Sequence, residues 1–169
     1  MTAESDLSIF YEKAYIEHSD AIFRHCYFRM GDYERAKELM QDAFMQTWKC
    51  ISKGEKIDNL RAFLYKTATN LIIDELRRRK RRPTSSLEEM QEGGFDPGSD
   101  DEEKAIKMGI DAKFVFQTLQ KIDPKYRDVL MMRYIDELKP AEIANITGLP
   151  VNVVSVRIHR GEKLLRSHL

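Results

Sequence analysis

Apolar residues recur along this 169-residue chain at helical steps. From Asp32 onward, Ala36, Leu39, Met40, Ala43, Phe44 and Trp48 fall three or four residues apart, which predicts one buried face of an amphipathic helix. Before them, Leu7 to Met30 is dense in apolar and aromatic positions, and Gly31-Asp32 is expected to break the chain and restart it. After a polar break at Gly54, Asp58 is a predicted N-cap. Beyond it Leu60, Phe63, Leu64, Thr67, Ala68, Leu71, Ile72 and Leu76 form another stripe. Past residue 111, Val115, Phe116, Leu119 and Ile122 mark a helix. Asp123-Pro124 then supplies a cap and a first-turn proline for the next, which carries Val129, Leu130 and Met132. Strand-like alternation bounded by hairpin turns is absent, so the fold class is all-α.

The stretch after Pro83 breaks the pattern. Gly93-Gly94, Asp96-Pro97-Gly98 and a run of acids make it polar and turn-rich, with too little apolar surface to fold alone. A loop of that length is unusual inside one domain. The reading is two helical domains, 7–82 and 111–169, joined by a flexible acidic linker over 83–110.

The formal net charge is zero, but it is a cancellation. Arg61 to Arg82 holds eight Lys/Arg against two acids, Thr84 to Lys104 eight acids against one lysine, and Lys139 to the end five Lys/Arg against two acids. Two basic segments suit nucleic acid phosphates. No apolar run is long enough to span a membrane, and Met1 to Leu7 lacks the pattern of a signal peptide, so a cytoplasmic protein without direct membrane insertion is expected. Cys26 and Cys50 read as two reduced, buried thiols. Metal ligands do not cluster, and no Gly-rich phosphate loop or nucleophile-base pair occurs at a recognisable spacing. The expectation is no cofactor, no metal, no small-molecule substrate and no enzymatic activity.

Pro140 to Arg166 reads as a helix-turn-helix. Pro140 starts a short helix, and Ala144 is small enough to let a second helix cross closely. Gly148 allows the positive φ of a sharp turn. Pro150 starts the second helix, which Val154 and Ile158 pack back onto the first. Asn152, Val153, Ser155, Val156, Arg157, His159 and Arg160 then face outward, where such a helix reads base edges and phosphates. In the first domain the helix that ends at Arg82 turns Leu71, Ile72 and Leu76 inward. Arg61, Lys66, Asn70, Asp74, Arg77 and Arg78 fall on or near the other side, with Asp74 spaced to fix Arg77 or Arg78. An ordinary regulator with a sensor domain explains the helix-turn-helix but not the second Arg-rich helix. An enzyme acting on nucleic acid has no motif in its favour.

Three motifs together resemble a family. They are Gln41-Asp42-Ala43-Phe44 with Trp48, the Phe63 to Arg79 helix with Asn70, Asp74 and Arg77, and the stretch from Ile122-Asp-Pro-Lys-Tyr-Arg to His159-Arg160. In this order and spacing the chain is similar to the extracytoplasmic-function RNA polymerase sigma factors. The resemblance implies a protein that binds core RNA polymerase and directs it to promoter DNA. The first domain would hold the melted downstream element and the second the duplex upstream element, and an anti-sigma factor would hold the free protein. It places Leu39, Gln41, Asp42, Phe44 and Thr47 against the polymerase clamp. Lys56, Asp58, Asn59, Arg61, Asn70, Asp74, Arg77 and Arg78 fall on the downstream element, and Asn152, Val153, Ser155, Val156, Arg157 and Arg160 on the upstream one.

Overall fold

A computed structural model describes residues 3–81 and 112–168, and the expected acidic linker, 83–110, lies outside the described residues. Every regular element among the described residues is helical. The first three are α1 (Ala3–Met30), α2 (Tyr33–Ser52) and α3 (Leu60–Arg81). Then come α4 (Ala112–Gln120), α5 (Pro124–Leu130) with a π-helical continuation over Met131–Ile135, α6 (Pro140–Thr147) and α7 (Val151–Ser167).

The break between α1 and α2 has the expected physical cause. Gly31 sits at φ +70°, and Asp32 caps α2 by accepting from the Arg35 amide at 3.1 Å. The start of α3 differs from the expectation by one residue: its cap is Asn59, whose Oδ1 accepts from the Ala62 amide at 3.1 Å, and not Asp58. A side-chain oxygen must reach an amide two or three residues on, and only Asn59 stands at that offset from the first turn of α3.

The α2 stripe is the wall of the first bundle. Ala36, Leu39, Met40, Ala43, Phe44 and Thr47 are all buried. They meet Ile22, Cys26, Tyr27 and Met30 of α1 and Leu64, Tyr65, Ala68 and Ile72 of α3. Tyr11 and Tyr15 set their rings edge-on to Phe44, and Tyr11 also meets Trp48 edge-on. Glu75 of α3 takes both Nε and Nη2 of Arg35, at 3.0 and 2.8 Å, and so pins α2 to α3.

In the second half Asp123 caps α5, accepting from the Lys125 amide, and Pro124 occupies the first turn. The turn between α6 and α7 forms as the sequence predicts, with Gly148 at φ +78° and its amide bonded to the Ala144 carbonyl. Val154 and Ile158 are buried between the helices. Gly161 has a use that its weak helix propensity hides: a Cβ there would lie 3.0 Å from Leu130 Cγ and Cδ1, so its absence lets α7 approach α5 closely.

The two halves are not held apart. One buried cluster runs from Ile22, Leu64 and Tyr65 through to Leu138, Ile143, Val154 and Ile158. Phe28 of α1 is buried against Leu119 and Met131 of the second half. Phe116 of α4 covers the Gly31 turn so tightly that a Cβ would come within 2.9 Å of its ring. None of these contacts is signalled by periodicity, because a residue facing its own bundle and one facing a second bundle share the same helical spacing.

Candidate polymerase and promoter surfaces

The expected polymerase-facing residues of α2 divide by burial. Leu39, Phe44 and Thr47 are within 2% of full burial and belong to the bundle core, and the Thr47 hydroxyl donates to the Ala43 carbonyl. These three side chains shape α2 from within, because the same stripe must build the core. Gln41 and Asp42 are exposed, and Met45 beside them leaves an apolar side chain more than half in solvent.

The expected downstream face lies along α3 and the loop before it. Lys56, Asp58 and Asn59 are exposed on the loop, and Asn70, Asp74, Arg77 and Arg78 are exposed along the helix. The carboxylate that steadies the arginines is Glu75 and not Asp74. Glu75 lies 3.5 Å from Arg78 and 3.7 Å from Arg79, besides its bonds to Arg35. Those bonds to Arg35, then the neighbouring guanidinium charges, outweigh burial and hold its carboxyl below the usual value. Arg61 is the exception on this face. It is half-buried, its guanidinium stands 5.5 Å over the Tyr65 ring, and it is ion-paired to Glu142 of α6 in the other half.

On α7, Asn152, Ser155, Val156 and Arg160 are exposed, while Val153 and Arg157 are half-buried. Asn152, Val153, Val156, Arg157 and Arg160 come together on one open groove of about 310 Å³. Lys125 and Tyr126 of α5 form its other wall, with the Lys125 ammonium 5.0 Å from the Tyr126 ring centre. Their place in the groove depends on how α5 packs across α7, which sequence spacing does not report.

Between the halves lies a polar cluster that the sequence did not single out. The fully buried His25 donates from Nδ1 to Asp136 Oδ2 at 2.7 Å, and Arg29 donates to the same oxygen at 3.2 Å. Arg29 also donates to the His25 carbonyl, and the Thr69 hydroxyl lies 2.9 Å from His25 Nε2. Burial first, and the Arg29 charge second, push His25 below its ordinary value despite Asp136. Burial works to raise the Asp136 carboxyl, but the His25 ring and the Arg29 guanidinium outweigh it and hold the group ionised. The cluster is thus a neutral imidazole beside a balanced Arg–Asp pair. Adjacent Cys26 is buried with its thiol pushed up to about 12, whereas Cys50 is half-buried rather than buried as expected. Among the described residues no His, Cys, Asp and Glu side chains gather in a metal-binding group, and no helix is long and apolar enough to cross a membrane.

A three-helix bundle with an Arg-rich helix, joined to a helix-turn-helix with a basic groove, defines a two-part DNA-reading protein. Residues 14–82 match Sigma-70 region 2, and residues 115–165 match Sigma-70, region 4. The chain is 31% identical over 159 residues to the ECF RNA polymerase sigma factor SigW of Bacillus subtilis (strain 168), covering 90% of this chain and 84% of that one. It is 25% identical to the RNA polymerase sigma factor YlaC of the same organism, over 94% of this chain and 91% of that one. Its fold matches the sigma factor RpoE from Bartonella quintana, solved with the anti-sigma factor NepR. There the TM-score is 0.69 at 17% identity, covering 93% of this chain and 94% of that one. The chain belongs to the extracytoplasmic-function (ECF) RNA polymerase sigma factors. It is an initiation factor that binds core RNA polymerase and directs promoter-specific transcription.

Proposed function

We propose a division of labour over the two halves. Residues 7–82 act as region 2: the exposed side of α2 around Gln41 and Asp42 meets the polymerase clamp. The loop with Lys56, Asp58 and Asn59, together with Arg61, Asn70, Asp74, Arg77 and Arg78 of α3, holds the melted downstream element. Residues 111–169 act as region 4, with the α7 groove on the duplex upstream element: Asn152, Val153, Ser155 and Val156 meet base edges, and Arg157 and Arg160 meet guanine or phosphate. Residues 83–110 tie the two together.

The observation that carries this reading is the pairing of two separate basic surfaces on one chain, one on α3 and one on α7. Arginines buttressed by Glu75 are held in place for phosphates, which lowers the entropy lost on binding. Unpaired bases cost a few kcal/mol to extrude, and binding energy from α3 and its loop offsets that cost. Bond-making stays with the polymerase, so this chain acts in the cytoplasm without an enzymatic step of its own. A relative in fold is held by an anti-sigma protein. A protein of that kind is the proposed regulator here, covering the surfaces that otherwise meet polymerase.

The test is transcription in vitro with purified core polymerase across genomic fragments, with starts mapped. Starts should share two elements at fixed spacing. Arg157→Ala should weaken dependence on the upstream element, and changes in 54–59 should alter the downstream one. Starts with no shared elements would contradict the reading.

A further inference from the structure

The groove face of α7 carries two apolar side chains that its packing does not use. Val154 and Ile158 are buried and hold α7 in the core. Val153 and Val156 lie outside that cluster, and Val156 keeps 46% of its surface exposed. A β-branched residue is a poorer helix former than alanine or lysine, so local stability accounts for neither. Both line the groove together with Asn152, Arg157 and Arg160. Asn152, Val156 and Arg160 make one ridge at four-residue steps, and Val153 and Arg157 make the ridge beside it. Val156 therefore stands between Asn152 and Arg160, one helical turn from each.

We propose that Val153 and Val156 read the 5-methyl groups of neighbouring thymines in the upstream element and so set its preference for thymine over cytosine. The proposal rests on the reading of the α7 groove as the face that meets upstream duplex.

The major-groove edges of the base pairs present hydrogen-bonding groups and a single apolar group, the thymine methyl. A valine lowered against a donor or acceptor strips it of water and gives no bond in return, whereas against the methyl both partners leave water favourably. One contact thus attracts a thymine and rejects a G·C pair. The β-branch restricts each valine to one dominant rotamer in a helix, so the methyls are in place before DNA arrives. Val153 and Val156 are about 4.5 Å apart along the helix axis at 1.5 Å per residue. The base-pair step is about 3.4 Å, so a helix lying along the groove sets the two valines over neighbouring pairs. Asn152 and Arg160 stand about 6 Å to either side of Val156 along that axis. Their side chains suit the hydrogen-bonding edges of adenine and guanine. The element expected is a short thymine run on one strand, bounded by pairs read through hydrogen bonds.

The experiment uses holoenzyme and promoter fragments mapped in the transcription assay above. Two fragments are compared: one natural, the other with uracil replacing thymine only in the duplex upstream of the melted stretch, so that the unpaired strand keeps its methyls. Fluorescence anisotropy at fixed salt reads binding. Burying one methyl corresponds to about a fourfold change in affinity, and two to about fifteenfold. The parent chain should bind the thymine fragment about fifteenfold tighter than the uracil one. Val156→Ser, a change nearly neutral in helix propensity, should cut that ratio to about fourfold, and Val153→Ser with Val156→Ser should abolish it. A ratio of one in the parent chain overturns the methyl contact. A ratio that persists in the double variant also overturns it, because the discrimination then comes from DNA shape and not from the valines. Arg160→Ala separates the two levels. It should weaken binding to both fragments alike; a ratio of one beside such weakening leaves the groove on DNA, whereas binding unmoved by Arg160→Ala removes the reading of the groove itself.

Discussion

Phe28→Ala perturbs the apolar contact between the halves without touching Asp136 or Glu142, whose carboxylates pair across the same boundary. Phe28 is only 3% exposed, and its ring packs against Leu119 and Met131 of the second half. An aromatic side chain of this kind buries roughly 150–250 Å². At about 25 cal/mol per Å² the loss is roughly 4–6 kcal/mol, an upper bound, and core Phe→Ala changes measure about 3–5 kcal/mol. Because Phe28 becomes solvated when the halves part, most of that loss falls on the closed-to-open equilibrium rather than on the bundle of α1–α3. A shift of about 3 kcal/mol lowers the closed-to-open ratio by more than about a hundredfold. Small-angle scattering should then report a radius of gyration well above the roughly 15 Å of a packed chain. Hydrogen exchange in α2 and the buried part of α3 should stay protected. Unchanged scattering, with protection of α1–α3 falling instead, would place Phe28 in the core of its own bundle and refute the reasoning.

Gly161→Ala sets about 1 kcal/mol of gained helix propensity against a Cβ 3.0 Å from two carbons of buried Leu130. Overpacking wins, and thermal unfolding should show a net loss of about 1 kcal/mol; a raised midpoint would mean that Leu130 yields. Glu75→Gln removes the charge that Arg35, Arg78 and Arg79 share, and should lower stability by about 1–2 kcal/mol in urea unfolding. Because its carboxyl is held low, the wild-type advantage is present above about pH 4.5 and is lost as the pH falls through the lowered value. The two halves, packed together through one buried cluster, should part on acidification. His25 is depressed from 6.5 when the halves are packed and faces Arg29, Asp136, Thr69 and Tyr65, with a further charge on Asp128, so protons bind the separated halves preferentially below about pH 6.5. Asp136, also depressed, adds to the same direction at lower pH. Scattering that is flat from pH 8 to pH 5 would contradict the neutral assignment of His25.

Much of this architecture was legible because local rules settle it. The α2 stripe, the Gly31-Asp32 restart, the Asp123-Pro124 start and the Gly148 turn each follow from spacing or from a backbone need that one residue type meets. The same rules mislead where two roles share one pattern. Leu39, Phe44 and Thr47 belong to a motif that is meaningful as a whole, yet their side chains are the core and only Gln41 and Asp42 face solvent. Asp74 and Glu75 are adjacent acids, and only the rotation of α3 against α2 decides that Glu75 is the one that meets Arg35 and steadies Arg78. Lys125 and Tyr126 join the α7 groove through packing alone. The His25–Asp136 pair was least accessible, since 111 residues separate two side chains that look unremarkable in their own segments.

The most direct test of the central claim is site-specific photo-crosslinking from α3 and from α7 in the polymerase–promoter complex. A crosslinker at Lys66 of α3 and another at His159 of α7, both exposed, report where each face touches DNA. The account predicts crosslinks from α3 to an unpaired downstream strand and from α7 to a separate stretch of duplex upstream of it. It also predicts that both appear together only when core polymerase is present. Crosslinks from both positions to one stretch of DNA, or the same two-site pattern from the free chain, would contradict it.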